Sequence, residues 1–276
     1  MVSVVISCYN DEKYIPDSVE SIHNQTISNL ELIVVDDGSN LATKRTLIGL
    51  LKKYDFTLIS QNNHGQSKAR NEGIKAAKGE YILVLDSDDF FEPSFSSKAI
   101  NILSKNENIK VVTCHARKFY DDTDDTDVYI PGGGSLKDIL FVNGAIGNAM
   151  FRKKDWELAG GYDEQMKSGF EDWEFYIRLL KNGGVIHVIP EVLFNYRMKK
   201  ESTSTRANKI KHELFYLIYE KHKELYLKHS DALIKYLLSR IEREEKEKLK
   251  NLNRIEFRIG KAILWPLRKL KRLVKL

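Results

Sequence analysis

The 276-residue chain predicts an α/β fold, a mostly parallel sheet flanked by helices, followed by a C-terminal helical extension. Three observations carry this. Short β-branched runs alternate with helical stretches through the first hundred residues, the rhythm of βαβ units. Residues 81–85 form an apolar run too short for a helix, punctuated by Gly79 and Pro93, and the run ends in Asp86-Ser87-Asp88-Asp89. From Lys209 onward Leu, Ile and Tyr recur at three- and four-residue spacing among Lys and Glu, which is a helical pattern.

Taken in order, residues 2–8 are a buried first strand broken by Tyr9-Asn10-Asp11, and a helix follows over 15–26. A second strand, 32–35, ends in Asp36-Asp37-Gly38-Ser39, and a helix runs on through Leu51. Residues 56–60 are a third strand, 66–77 a helix and 81–85 the strand that delivers acid at its tip. A helix at 94–104 and a strand at 111–116 come next, then the acidic stretch 121–127. A calcium loop needs Gly at its sixth position, where Thr126 stands, so the stretch reads as a solvated loop. Gly132-Gly133-Gly134 reads as a flexible connection. A helix spans about 171–180, and Pro190 divides 185–189 from 193–197 into two edge strands. The expected domains are 1–205, with halves at about 1–105 and 106–205, a helical extension 206–251 and a basic amphipathic tail 252–276.

The net charge of +5 is unevenly placed. Residues 252–276 hold four Lys and four Arg against one Glu, which leaves the other 251 residues slightly acidic at −2. That balance argues against a nucleic-acid binder and for a local anionic partner such as lipid headgroups. Apolar residues and Trp265 alternate with the basic ones there, as in an interfacial helix, with Pro266 kinking it; packing on protein or a homo-oligomer through the C-terminal helices is the other reading. Cys8 and Cys114 sit in apolar runs and read as reduced core residues of a cytoplasmic protein, peripheral on the inner face of the membrane. His187 reads as a strand residue with no partner at metal spacing.

In open α/β sheets ligands bind at the carboxyl edge, and Asp86 and Asp88 can aim oxygens there at one hard cation, Mn²⁺ or Mg²⁺. Taken alone, such acids also suit turns and helix caps. No Gly-x-Gly-x-x-Gly follows the first strand and no phosphate loop ending Gly-Lys-Ser or Gly-Lys-Thr occurs, which removes dinucleotide-dependent dehydrogenases and P-loop NTPases.

Six segments in order, Val-Ser-Val-Val-Ile-Ser-Cys-Tyr-Asn (2–10), Val-Val-Asp-Asp-Gly-Ser (34–39), Ala-Arg-Asn-Glu-Gly (69–73), Gly-Glu-Tyr-Ile (79–82), Leu-Asp-Ser-Asp-Asp (85–89) and Glu-Asp-Trp-Glu (171–174), resemble family 2 glycosyltransferases of the GT-A fold. The resemblance covers residues 1–200 and implies inverting transfer of a sugar from a nucleotide diphosphate, most often UDP, to an acceptor hydroxyl. It implies Asp37 for the base and Asp36 for the ribose, with Ser7 and Tyr9 lining that pocket and Gly65 and Arg70 beside the nucleotide. Asp88 becomes the metal ligand, Asp86 reaches ribose or a metal water, and Ser87 lies between them. Asp172 becomes the catalytic base with Glu171 orienting it, or the two exchanged. Residues 143–151 resemble the acceptor-side strand, so Asn148, Arg152 and Trp173 are expected at the acceptor, Trp173 also as core, and Arg197 and Lys199 at the diphosphate. A glycan or lipid-linked glycan acceptor and a setting in bacterial surface-polysaccharide assembly are implied too. Two other readings are a sugar nucleotidyltransferase, whose Gly-rich basic loop after the first strand is missing, and a sugar-nucleotide or glycan-binding module without activity.

Overall fold

The computed structural model describes residues 1–123, 126–257, 259–261 and 263–265. The chain divides into two compact units, Met1–Lys221 and His222–Leu276. In the first, β1 (Val2–Cys8), α1 (Ile15–His23), β2 (Leu30–Asp37), α2 (Leu41–Leu51), β3 (Thr57–Gln61), α3 (Gln66–Ala76) and β4 (Tyr81–Asp86) follow the expected alternation. Then come β5 (Phe90–Phe91), α4 (Phe95–Lys105), β6 (Ile109–Phe119), β7 (Thr126–Tyr129), β8 (Gly134–Ser135), α5 (Leu136–Ile139), β9 (Met150–Arg152) and α6 (Lys153–Ala159). α7 (Glu171–Leu180), β10 (Val185–Arg197), α8 (Thr203–Lys209) and α9 (Lys211–Lys221) complete the unit, which thus takes in the end of α8 and all of α9 from the stretch 206–251.

The main path of the sheet runs β3-β2-β1-β4-β9-β6-β10-β5. β1, rich in Val and Ile, is buried along its whole length, as a central strand covered on both faces must be. β3 is half exposed and forms one edge. Parallel register is what gathers the acids. Ser7 on β1 stands opposite Asp86 on β4, Cys8 opposite Asp36 on β2, and Asp37 opposite Gln61 on β3, so all these strand tips share one edge.

Three expectations change. Residues 185–197 form one continuous strand, with register shifts on either side of Val192 that absorb Pro190. It is no edge strand, because it lies between β6 and β5. Gly133 and Gly134 are held: Gly133 N–H donates to the Gly144 carbonyl at 2.8 Å, and Gly134 pairs with Ile186. A Cβ on Gly133, at φ +61°, would come within 2.8 Å of Val188, so this position requires glycine. Of residues 143–151 only Met150 and Phe151 are strand, paired antiparallel with β4 and β6.

In the second unit α10 (Lys223–Lys228) precedes α11 (Ser230–Asn253), and no α11 residue is buried. Its apolar side chains Ile234, Leu237, Leu238 and Ile241 are exposed. The helix kink expected at Pro266 and the tail beyond it lie outside the described residues.

Candidate active site

Asp86, the last residue of β4, is where the site is assembled. Its Oδ1 accepts from Arg70 Nη2 at 2.7 Å and from Gln66 Nε2 at 2.6 Å. Its backbone N–H donates to Asn148 Oδ1 at 2.7 Å, and Asn148 Nδ2 reaches both Asp86 and Asp89. Arg70 itself is 1% exposed, and its other arm, Nη1, meets Glu171 Oε1 at 2.8 Å. A buried guanidinium needs that much countercharge. Arg70 therefore spans from the tip of β4 to the first residue of α7, with the Tyr162 ring 5.3 Å away. The neighbouring Asn71 makes a second tie, exchanging two 2.8 Å bonds with the Tyr162 backbone.

At α7 a left-handed Phe170, φ 63°, turns the chain so that Glu171 and Asp172 open the helix, where a positive dipole end favours acids. Burial raises both carboxyls. Glu171 is pushed up to about 7 by burial, against the opposing pull of Arg70 and with the added push of Asp172. Asp172 is also raised by burial, against the pull of Arg70 and of the hydrogen bond from Asn143 Nδ2 to its Oδ2 at 2.8 Å. Two adjacent acids with elevated pKa are suited to moving protons near neutral pH.

At the donor edge Asp37 Oδ1 accepts from Gln61 Nε2 and the His64 N–H, and Oδ2 from the Gly65 N–H at 2.8 Å. It fixes the loop into α3. Asp36 accepts the Ser39 N–H at 2.9 Å and so closes a turn, and both acids are buried. Gly65, at φ 96°, precedes α3. Ser7 Oγ is buried with no hydrogen-bond partner among the described residues, whereas Tyr9, two residues on, is half exposed.

Asp88 Oδ2 and Asp11 Oδ1 converge on the Lys199 ammonium at 2.8 and 2.9 Å, and Ser87 Oγ donates to Asp11 Oδ2 at 2.5 Å. Burial and Asp86 raise the Asp88 carboxyl, against the pull of Lys199. Among the described residues no three His, Cys, Asp or Glu groups form a metal cage. Magnesium-type sites for nucleotides use one or two carboxylates completed by phosphates, and Asp88 beside Asp86 fits that donor set. Asp89 is fully buried and raised well above the carboxylate range by burial; its Oδ1 accepts the Arg197 N–H at 2.8 Å, a structural role.

Trp173 is core, the second of the two places expected for it, its Nε1 donating to the Ile139 carbonyl at 2.6 Å and its ring stacked near Phe215. Four other sequence expectations need correction. Arg152 pairs with Tyr81 at the opposite end of β4 from Asp86, where it binds the carbonyls of Leu103, Ile109 and Asn106. Arg70 is a buried brace, and Arg197 is committed to Asp17, Asp121 and the Asp88 carbonyl under the Tyr14 and Phe119 rings. Asp121, expected in a solvated loop, also pairs with Lys13; Asp124 and Asp125 lie outside the described residues. Gln66, Asp11 and Tyr14 escape the sequence reading, although Gln66 sits one helical turn before Arg70, on its face.

The pattern of the family described as Glycosyl transferase family 2 matches residues 3–164. The chain belongs to that family. The match stops before Glu171, so it carries the donor half and not the acids of α7. The glycosyltransferase EpsH of Bacillus subtilis (strain 168) is 36% identical over 126 residues, 45% of this chain and 36% of EpsH. Chondroitin synthase of Escherichia coli is 30% identical over 221 residues, 77% of this chain and 31% of the synthase. This family 2 chain thus spans about a third of each of these two relatives. S. aureus TarS 1–349, crystallised with UDP-GlcNAc, aligns with TM-score 0.62 and 20% identity over 74% of this chain and 60% of that 1–349 chain. The likeness establishes the GT-A fold.

Proposed function

We propose that this protein is an inverting glycosyltransferase that moves a sugar from a nucleotide diphosphate donor, a UDP-sugar, to an acceptor hydroxyl in a single displacement. One observation supports the reading: the buried Arg70 pairs with both Asp86 at the tip of β4 and Glu171 at the start of α7, which brings the acids proposed for the donor and for proton transfer to one guanidinium. The complexes of TarS with UDP and UDP-GlcNAc support the choice of donor.

The nucleotide enters at the tips of β1, β2 and β4, where the unpartnered Ser7 Oγ and the exposed Tyr9 meet base and ribose. Asp37 keeps one of its roughly four lone-pair positions for the base. Asp88 would hold a divalent ion with the donor, and that ion would stabilise the charge of the departing diphosphate. Asp172 takes the acceptor proton while the oxygen attacks in line, and Glu171, fixed by Arg70, orients it. The basic tail 252–276 docks the enzyme on an anionic membrane, its charge complementing the headgroups, and lets it meet a lipid-linked glycan. Among the described residues no helix is long and apolar enough to cross a membrane.

Release of nucleotide from a panel of UDP-sugars tests the reading. Asp88→Ala is expected to lose metal-dependent donor binding, and Asp172→Ala to keep UDP binding while kcat falls by roughly 10²–10⁴. Full turnover by Asp172→Ala would refute it.

A further inference from the structure

Lys199 holds the position that a donor-site cation would need. Its ammonium lies 2.8 Å from Asp88 Oδ2 and 2.9 Å from Asp11 Oδ1, and 4.4 Å from the centre of the Tyr14 ring. Its side chain is 22% exposed. This is a built enclosure of two carboxylates and an aromatic face, with the Lys199 ammonium between the two acids and the Arg197 guanidinium also over the ring, 4.6 Å from its centre. The chain that presents Lys199 is equally fixed. Two residues earlier, Arg197 spends its donors on Asp17, Asp121, the Asp88 carbonyl and Asp89. Three residues later, Ser202 begins α8 with a capping box, its Oγ accepting the Thr205 N–H at 3.1 Å. A long, flexible side chain between two anchored points can swing while its backbone stays.

We propose that Lys199 is a tethered counter-cation of the donor site, which a divalent ion must displace from Asp88 in order to load. The inference rests on the reading of Asp88 as the donor-side ligand. Without nucleotide, the ammonium balances Asp88 and Asp11 and disfavours free metal, because a divalent ion would compete with it for the Asp88 carboxylate. When metal arrives with a diphosphate, the phosphate oxygens offer Lys199 new acceptors, so exchange costs little. Metal binding without nucleotide is then weak, and metal and nucleotide load together.

The test is a Mn²⁺ titration followed by electron paramagnetic resonance, on the full chain, with and without UDP. Lys199→Met is expected to bind Mn²⁺ alone roughly tenfold more tightly than wild type, the scale of removing one close like charge, and to lose much of the coupling to UDP. Lys199→Arg keeps the charge and is expected to stay near wild type. Lys13→Ala removes a cation 4.7 Å from the same Tyr14 ring but without a bond to Asp88, and is expected to change Mn²⁺ affinity by under about twofold. Circular dichroism and melting of Lys199→Met confirm that it is folded. Unchanged or undetectable Mn²⁺ binding by folded Lys199→Met overturns the proposal, as does an equal gain in Lys13→Ala. Wild-type protein that binds no UDP, while Lys199→Met still gains Mn²⁺ affinity, would sink the donor reading and leave the displacement of Lys199 by a cation standing.

Discussion

Arg70 carries two arms into two acids from distant parts of the chain, and replacing it exposes what that arrangement supports. Arg70→Met leaves the buried Glu171 and the partly exposed Asp86 without their countercharge, and is expected to cost about 3–5 kcal/mol in urea denaturation together with turnover. A loss below about 1 kcal/mol would show that the brace is dispensable. Asn143 offers a finer probe. Its hydrogen bond favours the charged form of Asp172, so Asn143→Ala raises that carboxyl further. The base acts deprotonated, kcat rises with pH through its pKa, and the acid limb of the pH profile is therefore expected to move to higher pH. An unmoved limb would detach Asp172 from proton removal. At this scale the sequence shows which residue types gather at the edge, and it hides their partners. Arg70 reads as a nucleotide contact, and the bonds of Asp37 to Gln61, His64 and Gly65 go unread, because side-chain ties across 24 to 101 residues leave no periodic trace.

The elements of the donor half were legible because their signals are local. β1, β2 and β4 each end where apolar β-branched residues give way to Asp or Asn, and the register of a parallel sheet then aligns those ends. β10 was split because Pro190 looks like punctuation, whereas bulges on either side of Val192 let the strand continue past it. β5, β7 and β8 are two to four residues long, too short for alternation to register. α3 shows why its position is strict. A Cβ on Gly73 would come within 2.4 Å of Val5 and 3.0 Å of Val35, so the helix carrying Arg70 lies directly on β1 and β2. Gly73→Ala is expected to lower stability by about 1–3 kcal/mol by lifting that helix, visible as a reduced denaturation midpoint. A neutral substitution would mean that α3 packs more loosely than these distances state.

For the whole molecule, the charge asymmetry is the feature that the sequence discloses most directly, since counting needs no fold. Removing residues 252–276 is expected to abolish sedimentation with vesicles containing phosphatidylserine while UDP binding persists. Retained sedimentation would reject the membrane role, and a change in mass by light scattering would favour self-association. The order in which the chain is made adds a consequence of the Arg70 bridge. As synthesis proceeds, a nascent chain of 170 residues already contains the guanidinium and Asp86 but lacks Glu171, and β6 still lacks β10 as its neighbour. The proposed catalytic pocket is thus completed late on the ribosome, and a transcript cut short before that helix yields a sheet whose buried Arg70 has lost one of its two acid partners.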